Sequence, residues 1–181
     1  RKAVRMAVDR QALADLVTGG AAEVTCDHPV MKSDQYRADL SCPQDIEGAK
    51  KLLADAGYPD GIEFTVYPSS LEPTWTPIAE VVQQQVAAAG LKVNIQVVPS
   101  DGYWNDIWLK KPVAMTRWNQ RPADQALNEI YHSSAKWNES LYKNAAFDSL
   151  LGMARKELDF EKRKAMYLSL IHISEPTRRL V

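Results

Sequence analysis

A chain of 181 residues has room for one well-filled core, and 45% hydrophobic with 25% charged content is the make-up of an ordinary folded protein. A formal net charge of -1 gives no support for a nucleic acid partner, which normally requires concentrated Lys and Arg. No apolar run approaches the roughly 20 residues that cross a bilayer, so no membrane span is expected within this chain.

The opening stretch "KAVRMAVDRQALADLV" places Val4, Ala7, Val8, Ala12, Leu16 and Val17 near one side of a helix, which Gly19 and Gly20 stop. The following "AAEVTCDHPVMKSDQYRADLSCPQ" has no sustained period and many turn formers, and reads as a long surface excursion, a length often tied to ligand contact. It carries Cys26 and Cys42. A disulfide between them fits an oxidising compartment, two unpaired and partly buried thiols are the plainer reading, and a metal is poorly served because His28 is the only imidazole nearby.

Asp45 is placed to cap a helix with the stripe Ile46, Ala49, Leu52, Leu53 and Ala56, stopped by Gly57. The Pro59, Asp60, Gly61 turn then leads into a strand, "IEFTVY", in which Ile62, Phe64 and Val66 alternate with polar partners. Ile78, Val81, Val82, Val86 and Ala89 mark the next helix, ended by Gly90, and "LKVNIQVV" alternates as a second strand. Strand, helix and strand at these lengths predict a parallel crossover unit and an α/β centre. A short helix over "DGYWNDIWLK", a third strand over "VAMTRW" and a helical piece near "ADQALNEIYHS" follow. Beyond the polar loop "SAKWNESLYKN", Asn144 is a cap for a helix with the stripe Phe147, Leu150, Leu151, Ala154 and Leu158, and Asp159 for another.

Enzymatic machinery is not evident. Glycines lack the spacing of a phosphate cradle, there is no nucleophile elbow, and His28, His132 and His172 stand in no ligand-like spacing. His132, Ser133 and Asp148 contain the residue types of a nucleophilic triad without its order or turn context. Neither a metal nor a cofactor is expected.

The aromatic residues are more informative. Five tryptophans, Trp75, Trp104, Trp108, Trp118 and Trp137, mostly fall in loops or at element ends. An indole offers a wide apolar face and one donor at little entropic cost, which suits a cleft wall or an interface. In "MTRWNQRPAD", Trp118 ends a strand-like run between Arg117 and Arg121. Ligands settle at the carboxyl ends of parallel strands, so an acid group held by guanidinium beside an indole is one reading, and a solvated arginine pair with a half-buried indole is the other.

Taken in order, "RKAVRMAVDRQALADLV", "DIEGAKKLLADAGYPDGIEFTV", "IAEVVQQQVAAAGLKVNIQVV" and "LYKNAAFDSLLGMARKELDFEKRKAMY" resemble successive signature stretches of the family 5 extracellular solute-binding proteins. The resemblance implies an incomplete periplasmic-binding-protein type II lobe, with residues 1–167 as most of the second lobe of a two-lobe receptor. It implies no chemistry: such receptors close over a small solute and deliver it to an ABC permease from the periplasm or the outer face of the cytoplasmic membrane. In peptide-binding members an aspartate three positions after the corresponding tryptophan takes the peptide ammonium. Here Trp118 matches that tryptophan and Arg121 stands at the aspartate's place, so the resemblance implies an anionic or zwitterionic solute whose acid meets Arg121. Arg117, Asp124, Trp137, Asn138 and Tyr36 are further candidate contacts, Asp124 for an amine. The other function classes considered are a small α/β enzyme fragment and an interaction module using exposed tryptophans. Finally, "LSLIHISEPTR" resembles the translation of a common sequencing adapter, so 168–181 are expected to be a non-native tail.

Overall fold

The computed structural model describes residues 1–174, which separate into two compact units. The first holds Arg1–Val24 and Cys42–Arg117; the second holds Thr25–Ser41 and the described residues from Trp118 onward. Where the length predicts one compact body, the excursion has joined the carboxyl-terminal helices to build a core of its own.

In the first unit the expected opening helix is two helices, α1 (Lys2–Ala7) and α2 (Arg10–Thr18), separated by extended Val8. Asp9 causes the break by capping α2, its side chain accepting from Ala12 N at 3.0 Å. The freed backbone is not orphaned: the Gln85 amide both accepts from Asp9 N and donates to Asp9 O, each at 3.1 Å. Gly19 then ends α2 in the left-handed conformation.

Asp45 caps α3 (Ile46–Asp55) through Gly48 N at 2.7 Å. Strands β1 (Ile62–Val66) and β2 (Leu91–Ile95) pair in parallel, Ile62 opposite Leu91, and α4 (Trp75–Ala87) connects them. Gly61, at φ +87°, enters β1 so close to Gly90 that an added Cβ would lie 1.7 Å from the Gly90 carbonyl oxygen. Only glycine fits there. The core of this unit runs through Val4, Leu53, Val66, Val86, Leu91 and Tyr103. After α5 (Tyr103–Asp106), the expected third strand reduces to a single parallel bridge, Tyr67 to Ala114. Tyr103 holds the segment instead, its hydroxyl lying 2.7 Å from Met115 O and 2.9 Å from Tyr67 O.

The second unit packs α6 (Ala123–Tyr131), α7 (Ala145–Ala154) and α8 (Phe160–Ser174) around Leu127, Phe147, Leu151, Leu170 and Ile171. Asn144 caps α7 through Ala146 N and Phe147 N, and Asp159 accepts from Lys162 N at the start of α8. Helix α8 runs past Tyr167, so the first part of the expected tail is helical, with Leu170 and Ile171 fully buried. Its last part, 175–181, lies outside the described residues. Both cysteines, Cys26 and Cys42, are disulfide-bonded. No helix among the described residues is long and apolar enough to cross a membrane.

Candidate functional site

Three of the predicted residues meet in the second unit. The Arg121 guanidinium lies over the Trp118 indole, 4.8 Å from the ring centroid, and the Trp137 ring packs against Trp118 at 5.7 Å, tilted by 60°. Two buttresses from the excursion hold the segment that carries them. Gln120 Nε2 donates to Ser33 Oγ at 3.2 Å, and Ala123 N at the start of α6 donates to Asp34 Oδ2 at 2.9 Å. The Asp34 carboxylate therefore supplies the cap that Pro122 cannot. Trp137 is 44% exposed, so the aromatic pair is not fully covered.

Arg121 is not a bare cation. Its Nε lies 2.8 Å from Glu129 Oε2, with the two side chains 22% and 26% exposed, and its Nη1 donates to Asn119 O at 3.2 Å. Glu129 is the residue that sequence reading misses. The signal was only partly present: Gln125 and Glu129 stand four residues apart on α6, which sets them in one row along the helix, while Arg121 lies before its first turn. Within that row Gln125 donates to Glu129 Oε1 at 2.8 Å. The ion pair is close but poorly aligned. Among the described residues, the buried side-chain polar atoms without a hydrogen bond are Trp118 Nε1, Arg121 Nε and Glu129 Oε2. An unmet buried polar atom costs about 1–3 kcal/mol, and all three belong to this constellation.

The remaining candidates are engaged elsewhere. Asp124 Oδ1 accepts from the Tyr167 hydroxyl at 2.9 Å and pairs with Arg155 Nε at 3.0 Å. Burial first, and the Asp124 carboxylate second, push the Tyr167 hydroxyl far above the ordinary tyrosine range. Tyr36 is buried between Tyr167 and Phe160, with centroid distances of 4.4 and 5.9 Å, and its hydroxyl accepts from Arg163 Nε. Asn138 spends its amide on its own loop: Nδ2 donates to Tyr142 O at 2.6 Å, and Oδ1 accepts from Ser140 Oγ and Tyr142 N. Arg117 lies in the first unit, where it forms an ion pair with Glu72. The serine, histidine and aspartate types converge only as a turn after α6: Ser134 Oγ lies 2.9 Å from His132 Nδ1, while His132 Nε2 is 3.9 Å from Asp148 Oδ1. No group of three or more metal-ligating side chains occurs among the described residues.

Comparison with known proteins decides the lineage. Residues 1–138 match the family described as bacterial extracellular solute-binding proteins, family 5 Middle. The chain belongs to that family. The glutathione-binding protein GsiB of Salmonella paratyphi A is 30% identical over 180 residues, covering 92% of this chain and 35% of its own length. Di/tripeptide-binding protein 3 of Pseudomonas aeruginosa is 27% identical, covering 96% of this chain and 34% of its own. Among solved structures, the periplasmic binding protein DppA of Helicobacter pylori in complex with the peptide STSA superimposes with a TM-score of 0.85 at 26% identity, covering 97% of this chain and 36% of that one. This member of the family thus spans about a third of the length of such relatives. The mixed α/β fold with a parallel strand-helix-strand core agrees with a periplasmic-binding-protein lobe.

Proposed function

We propose that this chain forms most of one lobe of a solute receptor for an ABC importer, acting by binding and not by catalysis. The receptor captures a small peptide-like or other acid-bearing solute and presents it to membrane permease subunits, from the periplasm or the outer face of the cytoplasmic membrane. Family membership across residues 1–138 supports the transport role. The names of the relatives, one for glutathione and one for di- and tripeptides, support a peptide-like solute.

The observation that carries the site is the Arg121 guanidinium laid on Trp118. In this reading Trp118 and Trp137 wall the solute and Arg121 takes its acid group. Asp124, Asn138 and Tyr36, whose polar groups are held within the protein, form the frame behind them. Titration calorimetry of the full-length protein carrying this chain tests the reading, with glutathione and the peptide Ser-Thr-Ser-Ala as probes. Replacing Arg121→Ala removes the acid's partner and leaves Glu129 uncompensated, so the affinity for whichever probe binds should fall about tenfold or more, equivalent to about 1.4 kcal/mol. Unchanged affinity would remove Arg121 from the site.

A further inference from the structure

We propose that the Arg121–Glu129 pair recognises one particular head group, an unblocked α-amino acid carrying ammonium and carboxylate on the same carbon. The inference rests on the solute-binding reading above and narrows it. Its starting point is charge. With Glu129 Oε2 at 2.8 Å from Arg121 Nε, the clasp is neutral, and a lone anion approaching the guanidinium also meets a carboxylate. A solute bearing only negative charge gains little there.

The unmet hydrogen bonds supply the second step. Two donors, Trp118 Nε1 and Arg121 Nε, and one acceptor, Glu129 Oε2, make no hydrogen bond among the described residues, although Arg121 Nε and Glu129 Oε2 face each other as an ion pair. A carboxylate accepts from the two donors and an ammonium donates to the acceptor, so a zwitterion meets the requirement of all three atoms. Arg121 and Glu129 are each about a quarter exposed, and their misaligned contact holds them less firmly than a forked, hydrogen-bonded pair would. The three atoms themselves are buried, so ligand groups reach them when the Arg121 or Glu129 side chain swings aside.

Spacing selects among zwitterions. Adjacent cation and anion atoms call for opposite charges on neighbouring ligand atoms. The two ends of an extended dipeptide lie roughly 7 Å apart, at about 3.3–3.6 Å per residue. An α-amino acid head replaces the pair with the smaller displacement of either side chain.

Two isomers isolate that feature: γ-glutamyl-alanine presents the intact head, whereas α-glutamyl-alanine has the same composition and charge with its ammonium and α-carboxylate separated. The full-length protein should bind the γ isomer about tenfold more tightly, as one partly desolvated charge pair implies. Glu129→Gln should bring the ratio close to one, while Glu129→Asp, which keeps the charge, should preserve a preference for the γ isomer. A wild-type ratio at or below one, a ratio untouched by Glu129→Gln, or binding of neither isomer would overturn the proposal. Loss of both isomers in Arg121→Ala, with the ratio indifferent to residue 129, would leave the site in place and remove only the head-group assignment.

Discussion

At the scale of single residues, Tyr167 shows how a candidate ligand contact is tied to the packing of the second unit. Its buried hydroxyl donates to Asp124 Oδ1, which also faces Arg155, so one oxygen of this candidate contact has structural partners. The same arrangement has a pH signature. The Tyr167 hydroxyl is raised above the ordinary value of 10.0, so the folded state keeps a proton that the unfolded chain has released. The stabilisation is fully present below pH about 10 and is lost as pH climbs toward the folded value. Urea midpoints followed from neutral pH to pH about 11 should fall more steeply in the wild type than in Tyr167→Phe. Parallel curves would mean that this hydroxyl contributes nothing to the alkaline loss. Residue-level caps were legible in advance at Asp45 and Asn144, because a cap is a local event a few positions from its acceptor. Glu129 escaped notice because its role depends on which face of α6 turns toward Trp118, which tertiary packing decides.

At the scale of elements, periodicity located α3, β1, α4 and β2 because one face of each is buried in a continuous core. It failed at two junctions. The first is Val8 to Arg10, where the hydrophobic stripe runs on but a capping Asp9 and the Gln85 amide make a break inexpensive. The second is Val113 to Trp118, whose alternation resembles a strand although only Ala114 forms a bridge. Helix α8 raises a different question. Tyr167, Leu170, Ile171 and Ser174 are buried at positions i, i+3, i+4 and i+7, so 168–174 continue a helical stripe. Such a stripe demands little of a sequence, only apolar side chains in phase, and Leu170 with Ile171 satisfies it. We therefore still propose that 168–181 are foreign, on the resemblance of "LSLIHISEPTR" to an adapter translation. Sequencing the source locus from independently prepared libraries should give different codons after Tyr167. Recovery of the same codons, running on into further receptor sequence, would show the stripe to be native.

At the scale of the whole molecule, the excursion read as a loop turns out to be part of the second unit's core, contributing Val30 and Tyr36 and the Ser33 and Asp34 buttresses beneath the clasp. No local pattern announced this, since the segment has no period and its partners lie some ninety positions away in sequence. Its ends are tied by the bond between Cys26 and Cys42. A crosslink of this kind acts mainly on the unfolded chain, and closing a loop of about 15 residues is worth roughly 3 kcal/mol. Disulfides persist in oxidising surroundings, which supports the proposed location outside the cytoplasm. Reducing the full-length protein, or replacing both cysteines by serine, should lower its urea midpoint by an amount of that order, with the two treatments agreeing. If the serine variant matched the oxidised protein, the excursion would owe its order to Val30, Asp34 and Tyr36 alone, and the crosslink would be dispensable for the frame that holds Trp118 and Arg121.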